Sequence, residues 1–168
     1  MNISSNKNKL AGVFAALLLS LNLATAAGPV KEGDTFPDLS KFGLEGTLPD
    51  VKGKVVLVDF FASWCGPCKE SFPAMNDLQK KYGEKGFIIL AINLDKKKSD
   101  MDGFIKDHPA NFVIVRDGEN KLVKEVKIAT MPSSFLLDKD GKVKSAHRGF
   151  KGAESVKKYS EEIEALLK

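Results

Sequence analysis

The chain has 168 residues, of which 43% are hydrophobic and 29% charged, with a formal net charge of +4. These values are typical of one globular domain with a sizeable core. The charge falls to about +2 without Lys7 and Lys9, which belong to a predicted leader. This near balance gives no support for a nucleic-acid partner or an acidic substrate, and we expect no nucleic-acid binding.

The N-terminus has the pattern of a secretory signal peptide. A polar start with two lysines is followed by an apolar centre and the small-residue end Ala24-Thr25-Ala26. The centre is shorter than the roughly 20 apolar residues of a membrane span. We therefore predict a signal peptide at 1–26, cleaved after Ala26, and one exported domain at 27–168, periplasmic or otherwise outside the cytosol. The alternative is an uncleaved membrane anchor.

The sequence of the first half of the domain predicts a buried strand, a helix and a second buried strand. After an irregular entry with a hairpin expected near 42–48, Val55–Phe61 forms an apolar run with one charge, which is typical of a central strand. Residues 66–82 carry apolar side chains at three- and four-residue spacing, which indicates an amphipathic helix. Residues 87–94 predict a second buried strand.

The sequence of the second half predicts several short helices and strands and a closing helix. Ser99 and Asp102 have the spacing of a helix cap and its partner, so we expect a helix at 99–107 with Ser99 as N-cap. The remaining pattern predicts a strand at 111–115, a short helix at 122–128, a hairpin of strands at 134–137 and 142–146, and a closing helix at Ala153–Leu167. Together the elements predict an α/β domain in which helices flank a mixed sheet.

Both cysteines of the chain, Cys65 and Cys68, lie in the stretch WCGPC. A structural zinc site needs four ligands, and the chain adds only the histidines His108 and His147. A structural disulfide across two intervening residues would restrict the unfolded chain very little. A redox-active pair, without metal or cofactor, is the reading that remains best supported.

The predicted position of the two cysteines gives each of them a role. Cys65 lies where the helix begins, so the positive end of the helix dipole favours its thiolate and lowers the pKa of its thiol. Cys68 lies one turn on and further inside. We therefore expect Cys65 to attack a partner disulfide and Cys68 to resolve the mixed disulfide. Pro67 stiffens the turn, and Trp64 presents an apolar surface beside an exposed sulfur or simply packs there.

Asp59 is a charged residue inside the apolar strand. Burial of an unpaired carboxylate is costly and raises its pKa. Such a group can take the proton from Cys68, directly or through a water molecule. The alternative is that Asp59 faces a polar pocket or the sheet edge.

Further along, Met131-Pro132 precedes a predicted strand, and its spacing alone leaves a trans or a cis peptide open.

The stretches VDFFASWCGPCK and TMPSSFLLDKDGKV closely resemble the thioredoxin superfamily. The leader and an extra segment at about 96–128 are similar to its TlpA/ResA-like (DsbE-like) branch of exported thiol–disulfide oxidoreductases. The resemblance implies a thioredoxin fold with this segment between the second core strand and a cis-proline loop. It also implies that Met131 and cis Pro132 belong to the site. One departure is Ala91, where thioredoxins place a lysine near the buried acid.

The resemblance extends to function and partners. It implies substrate contacts at Trp64, Gly66 and Pro67, client proteins that carry disulfides, apocytochrome c among them, and a membrane thiol reductase of the DsbD/CcdA type as electron donor. Gly-Pro between the cysteines matches a low-potential reductant. We expect a monomeric protein-disulfide reductase. A disulfide-forming oxidant or isomerase, and a redox-gated binding module, are the alternatives.

Overall fold

The computed structural model describes Met1 and residues 28–168, so the predicted signal peptide lies outside the described residues apart from Met1. Short 3-10 turns lie at Leu39–Lys41 and Gly83–Lys85. The strands and α-helices of the described part are, in chain order, β1 Val55–Phe61, α1 Gly66–Tyr82, β2 Phe87–Asn93, α2 Lys98–Asp107, β3 Val113–Arg116, α3 Lys121–Val126, β4 Ser133–Leu137, β5 Val143–Arg148 and α4 Ala153–Leu167.

β1 occupies the centre of a mixed five-stranded sheet in the order β3-β2-β1-β4-β5. It pairs in parallel with β2 and antiparallel with β4, and this central position explains why all seven of its residues are buried. β3, which comes from the extra segment, adds a parallel edge strand beside β2. The register places Asp59 opposite Ala91 on β2 and Ser134 on β4.

Helices cover both faces of the sheet, as the sequence predicted. Alternate residues of β1 point to opposite faces. Val58 packs in one core with Leu122 and Val126 of α3, while Leu57 packs in another with side chains of α1 and α4. The alternation puts Asp59 on the face of α1 and α4, between Leu57 and the aromatic cluster at the end of β1.

Two local predictions were wrong. Residues 42–48 form no hairpin, because Glu45 bridges to Arg116 at the β3 edge and its carboxylate pairs with the Arg116 guanidinium. The second helix begins at Lys98, and Lys97 rather than Ser99 stands at its N-cap. Asp102 is unavailable as a capping partner because it binds the Lys98 ammonium at 2.7 Å.

The other elements follow the prediction closely. α1 begins and ends at the predicted residues, α4 spans Ala153–Leu167, and the β4–β5 hairpin turns through Gly141 with a φ of +77°. A positive φ of this kind suits glycine, which has no Cβ. Among the described residues, no helix combines the length and the apolar character needed to cross a bilayer.

Candidate active site

The two cysteines lie at the junction between β1 and α1 and form a disulfide. Their sulfurs are 2.01 Å apart and their Cα atoms 5.3 Å. Cys65 is the N-cap of α1, and the backbone N–H of Cys68 donates a hydrogen bond to the Cys65 sulfur over 3.3 Å. The first turn of the helix therefore directs a free N–H at this sulfur, which is the arrangement that favours a thiolate.

The disulfide is mostly covered by protein. Cys68 is completely buried, and Cys65 is 4% exposed, so the expectation of an exposed Cys65 sulfur was wrong. The cover comes from an aromatic cluster around Phe61, Phe72 and Phe104. Trp64, by contrast, is 70% exposed, so its indole adds little to the core and stands at the surface beside Cys65.

A groove of about 590 Å³ opens beside Cys65. Trp64, Gly66 and Pro67 line it from the start of α1, and Met131 lines it from the loop before β4. Residues that the sequence analysis did not name complete the lining: Leu94, Val123, Ile128, Ala129 and Thr130. The groove is therefore largely apolar, and a client chain lying in it would present its sulfur to Cys65.

The Met131–Pro132 peptide is cis, as the resemblance implied. Pro132 is buried, and its carbonyl accepts a hydrogen bond from the Gly149 N–H at 2.8 Å. Met131 packs against the cluster that contains both cysteines. Of this pair, Met131 lines the groove, and Pro132 is buried.

Asp59 is buried, with 1% exposure, on the face of β1 that carries the cysteine-bearing helix. Its Oδ1 accepts a hydrogen bond from the Ser134 hydroxyl at 2.6 Å, and its Oδ2 has no hydrogen-bond partner among the described residues. Burial raises the pKa of Asp59 to about 7, against a smaller lowering by the Ser134 hydrogen bond. The carboxyl can therefore exchange a proton near neutral pH, which suits a general base or acid.

Asp95 holds the loop that leads to the cysteines. It is 3% exposed and accepts hydrogen bonds from the Ser63 N–H, from the Ser63 hydroxyl and from the Asn93 side chain, each within 2.9 Å. Arg116 donates to the Asp95 carbonyl and fixes the same corner from β3. The residue before Trp64 is thereby tied to the end of β2.

Sequence reasoning did not find Asp95, Ser134 or Tyr159. The sequence does contain a signal for Asp95, because a carboxylate directly after a predicted buried strand lies where polar groups of neighbouring strands meet. Tyr159 fits the apolar spacing of the last helix and so suggests only packing, although a buried tyrosine also needs a partner for its hydroxyl. Ser134 had no local signal, because its partner Asp59 lies 75 residues earlier.

Comparison with known sequences identifies the family. The sequence model of the redoxin family matches residues 31–163. The chain is 35% identical over 133 residues to thiol-disulfide oxidoreductase ResA of Bacillus thuringiensis, covering 79% of this chain and 77% of that protein. It is 34% identical to ResA of Geobacillus thermodenitrificans, covering 84% and 83%.

Solved structures agree with this assignment. A candidate DsbE thiol:disulfide interchange protein from Chlorobium tepidum superimposes with a TM-score of 0.76 at 41% identity, covering 84% of this chain and all of that one. StoA of Bacillus subtilis superimposes with a TM-score of 0.57 at 30% identity, covering 65% and 84%. The chain has the thioredoxin fold and belongs to the redoxin family, as a thiol–disulfide oxidoreductase of the TlpA/ResA/DsbE-like branch.

Proposed function

We propose that this protein is exported and reduces disulfides in client proteins through the Cys65–Cys68 pair. The observation that carries the proposal is the position of this disulfide, at the N-terminus of α1 and at the edge of an apolar groove. Redox pairs of this geometry exchange disulfides by thiolate attack. The groove walls at Trp64, Gly66, Pro67 and Met131 would hold the client segment around its cysteine, with Pro132 supporting the loop.

The reaction begins from the dithiol form. The Cys65 thiolate attacks one sulfur of the client disulfide, and the other client sulfur leaves and takes up a proton. Cys68 then gives its proton to Asp59, directly or through water, and attacks the Cys65 sulfur. The second client thiolate leaves and is protonated. The client disulfide has gained two electrons, and Cys65 and Cys68 have lost them.

A reductant outside the cytosol needs a supply of electrons, because that compartment is oxidising. We infer a membrane thiol reductase of the DsbD/CcdA type as the donor and apocytochrome c as one client, both of which the family resemblance suggests. The N-terminal pattern supports export with cleavage after Ala26, which would leave residues 27–168 as the working domain, here taken as a monomer. N-terminal sequencing of the protein from its native compartment tests the cleavage site.

Turnover of insulin disulfides tests the catalytic part of the proposal. We expect activity in the wild type, no activity in Cys65→Ser, and accumulation of a mixed disulfide in Cys68→Ser. The trapped variant, isolated from its own compartment and analysed by mass spectrometry, would also reveal the clients. Normal turnover by Cys68→Ser would contradict the two-cysteine cycle.

The direction of electron flow is tested by the reduction potential of the Cys65–Cys68 pair. A value near −250 mV or lower fits a reductase, as for thioredoxin at about −270 mV, whereas a value near −120 mV fits a disulfide-forming oxidant. Equilibration of the full chain with glutathione or dithiothreitol buffers gives this number. The Gly66-Pro67 dipeptide supports the lower value.

A further inference from the structure

A row of buried hydroxyls continues from Asp59 to the last helix. The Ser134 hydroxyl lies 2.6 Å from Oδ1 of Asp59 and 3.0 Å from the Tyr159 hydroxyl. All three residues are 1% exposed. They come from β1, β4 and α4, so the row crosses from the centre of the sheet to the helix packed on it.

The direction of the hydrogen bonds in this row is fixed by proton counting. A serine hydroxyl has one proton to donate. Since Ser134 donates it to Asp59, the Ser134 oxygen is left to accept from the Tyr159 hydroxyl. Burial raises the pKa of Tyr159, and the nearby Asp59 carboxylate raises it further, so this hydroxyl keeps its proton at neutral pH. The row therefore runs from Tyr159 to Ser134 to Oδ1 of Asp59.

We propose that Ser134 and Tyr159 are positioning residues that hold Oδ1 of Asp59 as a permanent acceptor and reserve Oδ2 for proton exchange with Cys68. This inference rests on the proposed function, in which Asp59 takes the Cys68 proton. Its geometric basis is the asymmetry of the carboxyl: one oxygen is engaged by the row, and the other has no partner among the described residues. Without the Ser134 hydrogen bond, rotation of the carboxyl would exchange its two oxygens.

In the forward step, the S–H bond of Cys68 breaks and an O–H bond forms at Oδ2 of Asp59, while the Cys68 sulfur attacks the Cys65 sulfur. When the protein is reduced again, Oδ2 returns this proton to the departing Cys68 sulfur. Oδ1 stays hydrogen-bonded to Ser134 in both forms. The row thus carries no proton itself; it sets the orientation and the proton affinity of the carboxyl.

Other ionisable groups interact with Tyr159 or with its neighbour His147, and their titration must be separated from that of Asp59: His147 on β5, Lys158 and Glu162 on α4, and Glu32. Cys68 on α1 is the proposed proton donor and must be separated as well. The rings of His147 and Tyr159 contact each other in a T-shaped arrangement with centroids 4.6 Å apart. The His147 Nε2 lies 2.7 Å from the Glu162 carboxylate. Burial lowers the pKa of His147. In the disulfide form Cys68 does not titrate, so this form is the one to measure.

Infrared difference spectroscopy of the oxidised full chain as a function of pH tests the proposal directly. In the wild type we expect a protonated carboxyl band that disappears with a midpoint near pH 7, and Asp59→Asn should remove it. Ser134→Ala should raise this midpoint by roughly one pH unit, a tenfold change in proton affinity, because a hydrogen bond to the carboxylate is lost. Tyr159→Phe should raise it less.

The same spectra contain a readout that a purely structural role would not change. If Oδ2 carries the proton, the remaining C=O is at Oδ1 and accepts from Ser134, so Ser134→Ala should shift its stretching band to higher wavenumber. Ser145→Ala is the matched control, because this buried serine hydroxyl donates to Glu162 and not to Asp59. We expect its midpoint and band to stay at the wild-type values.

A kinetic experiment tests whether the row affects catalysis. Trp64, the single tryptophan of the chain, lies next to Cys65 and can report disulfide formation by fluorescence. The pH midpoint for resolution of a mixed disulfide with a client peptide should move upward in Ser134→Ala in step with the infrared midpoint. An unchanged midpoint and band in Ser134→Ala would overturn the inference. Failure of the wild type to reduce insulin would instead overturn the proposed function and leave the infrared result intact.

Discussion

Asp59 places a carboxyl at the centre of the sheet, where burial makes its ionisation unfavourable. Its pKa is about 7 in the folded protein, against an ordinary value of 3.8. Between about pH 4 and about pH 7 the folded protein therefore holds a proton that the unfolded chain has released. The free energy of unfolding should fall as the pH rises through this window, because stability falls wherever the folded state binds more protons.

Asp59→Asn should remove this dependence. The amide is uncharged and nearly isosteric, and its oxygen can still accept from Ser134. At pH 8 we expect the oxidised variant to be more stable than the wild type by up to about 4 kcal/mol, and near pH 4 the two should be alike. Urea denaturation at both pH values measures this, and an equal difference at the two pH values would contradict it.

Trp64 carries a large apolar surface that the fold does not use. Because its side chain is 70% exposed, Trp64→Ala should change the free energy of unfolding by less than about 1 kcal/mol. We expect the KM for insulin to rise about five- to tenfold, as for loss of an aromatic contact at an interface. The rate with a small disulfide such as oxidised glutathione should hardly change. Trp64→Phe, which keeps an aromatic ring, is the control.

At the scale of elements, the active loop depends on a connection between β2 and the end of β1. Asp95→Ala removes the acceptor for both the backbone and the hydroxyl of Ser63. We expect a loss of about 2–3 kcal/mol in the free energy of unfolding and a slower alkylation of reduced Cys65, since the loop before it loses its anchor.

Asp102→Ala is the matched control for this prediction. Asp102 pairs with Lys98 on the exposed side of α2, with side-chain exposures of 53% and 62%. Loss of such a surface pair should cost about 0.5 kcal/mol or less. If Asp95→Ala were no more destabilising than Asp102→Ala, the anchoring role of Asp95 would be wrong.

The two errors at this scale have a common cause. Residues 42–48 had turn-forming composition, but Glu45 found a better partner in Arg116, 71 residues later. Ser99 had a capping pattern, but Asp102 was engaged by Lys98. In both cases a tertiary or side-chain pairing competed with a local rule. The elements with strong periodicity, β1, α1 and α4, were predicted to within a residue.

For the whole molecule, the redox state and the stability of the fold are linked. The oxidised and reduced forms differ in their free energy of unfolding. This difference equals the difference between the free energies of reducing the disulfide in the folded chain and in the unfolded chain. A difference of 30 mV in reduction potential corresponds to about 1.4 kcal/mol. A reductant has a fold that favours its disulfide. A strong oxidant has a fold that favours its dithiol.

We therefore expect the oxidised protein to unfold at a higher temperature than the reduced protein. Calorimetry of both forms, with the reduced form kept in excess thiol, measures the two midpoints. Cys68→Ala provides a control, because its midpoint should not respond to thiol. The opposite order of midpoints would favour the oxidant as the function of the Cys65–Cys68 pair.

The sequence by itself determined the central strand, the helix that begins at the first cysteine and the redox reading of WCGPC. These depend on periodicity and on neighbours within one or two helical turns, which act on the chain locally. Only the tertiary structure decided which groups meet Asp59, what holds the loop before Trp64 and which side chains line the groove. Those contacts join residues 32 and 75 positions apart, as in Ser63–Asp95 and Asp59–Ser134, and arise from strand order and register.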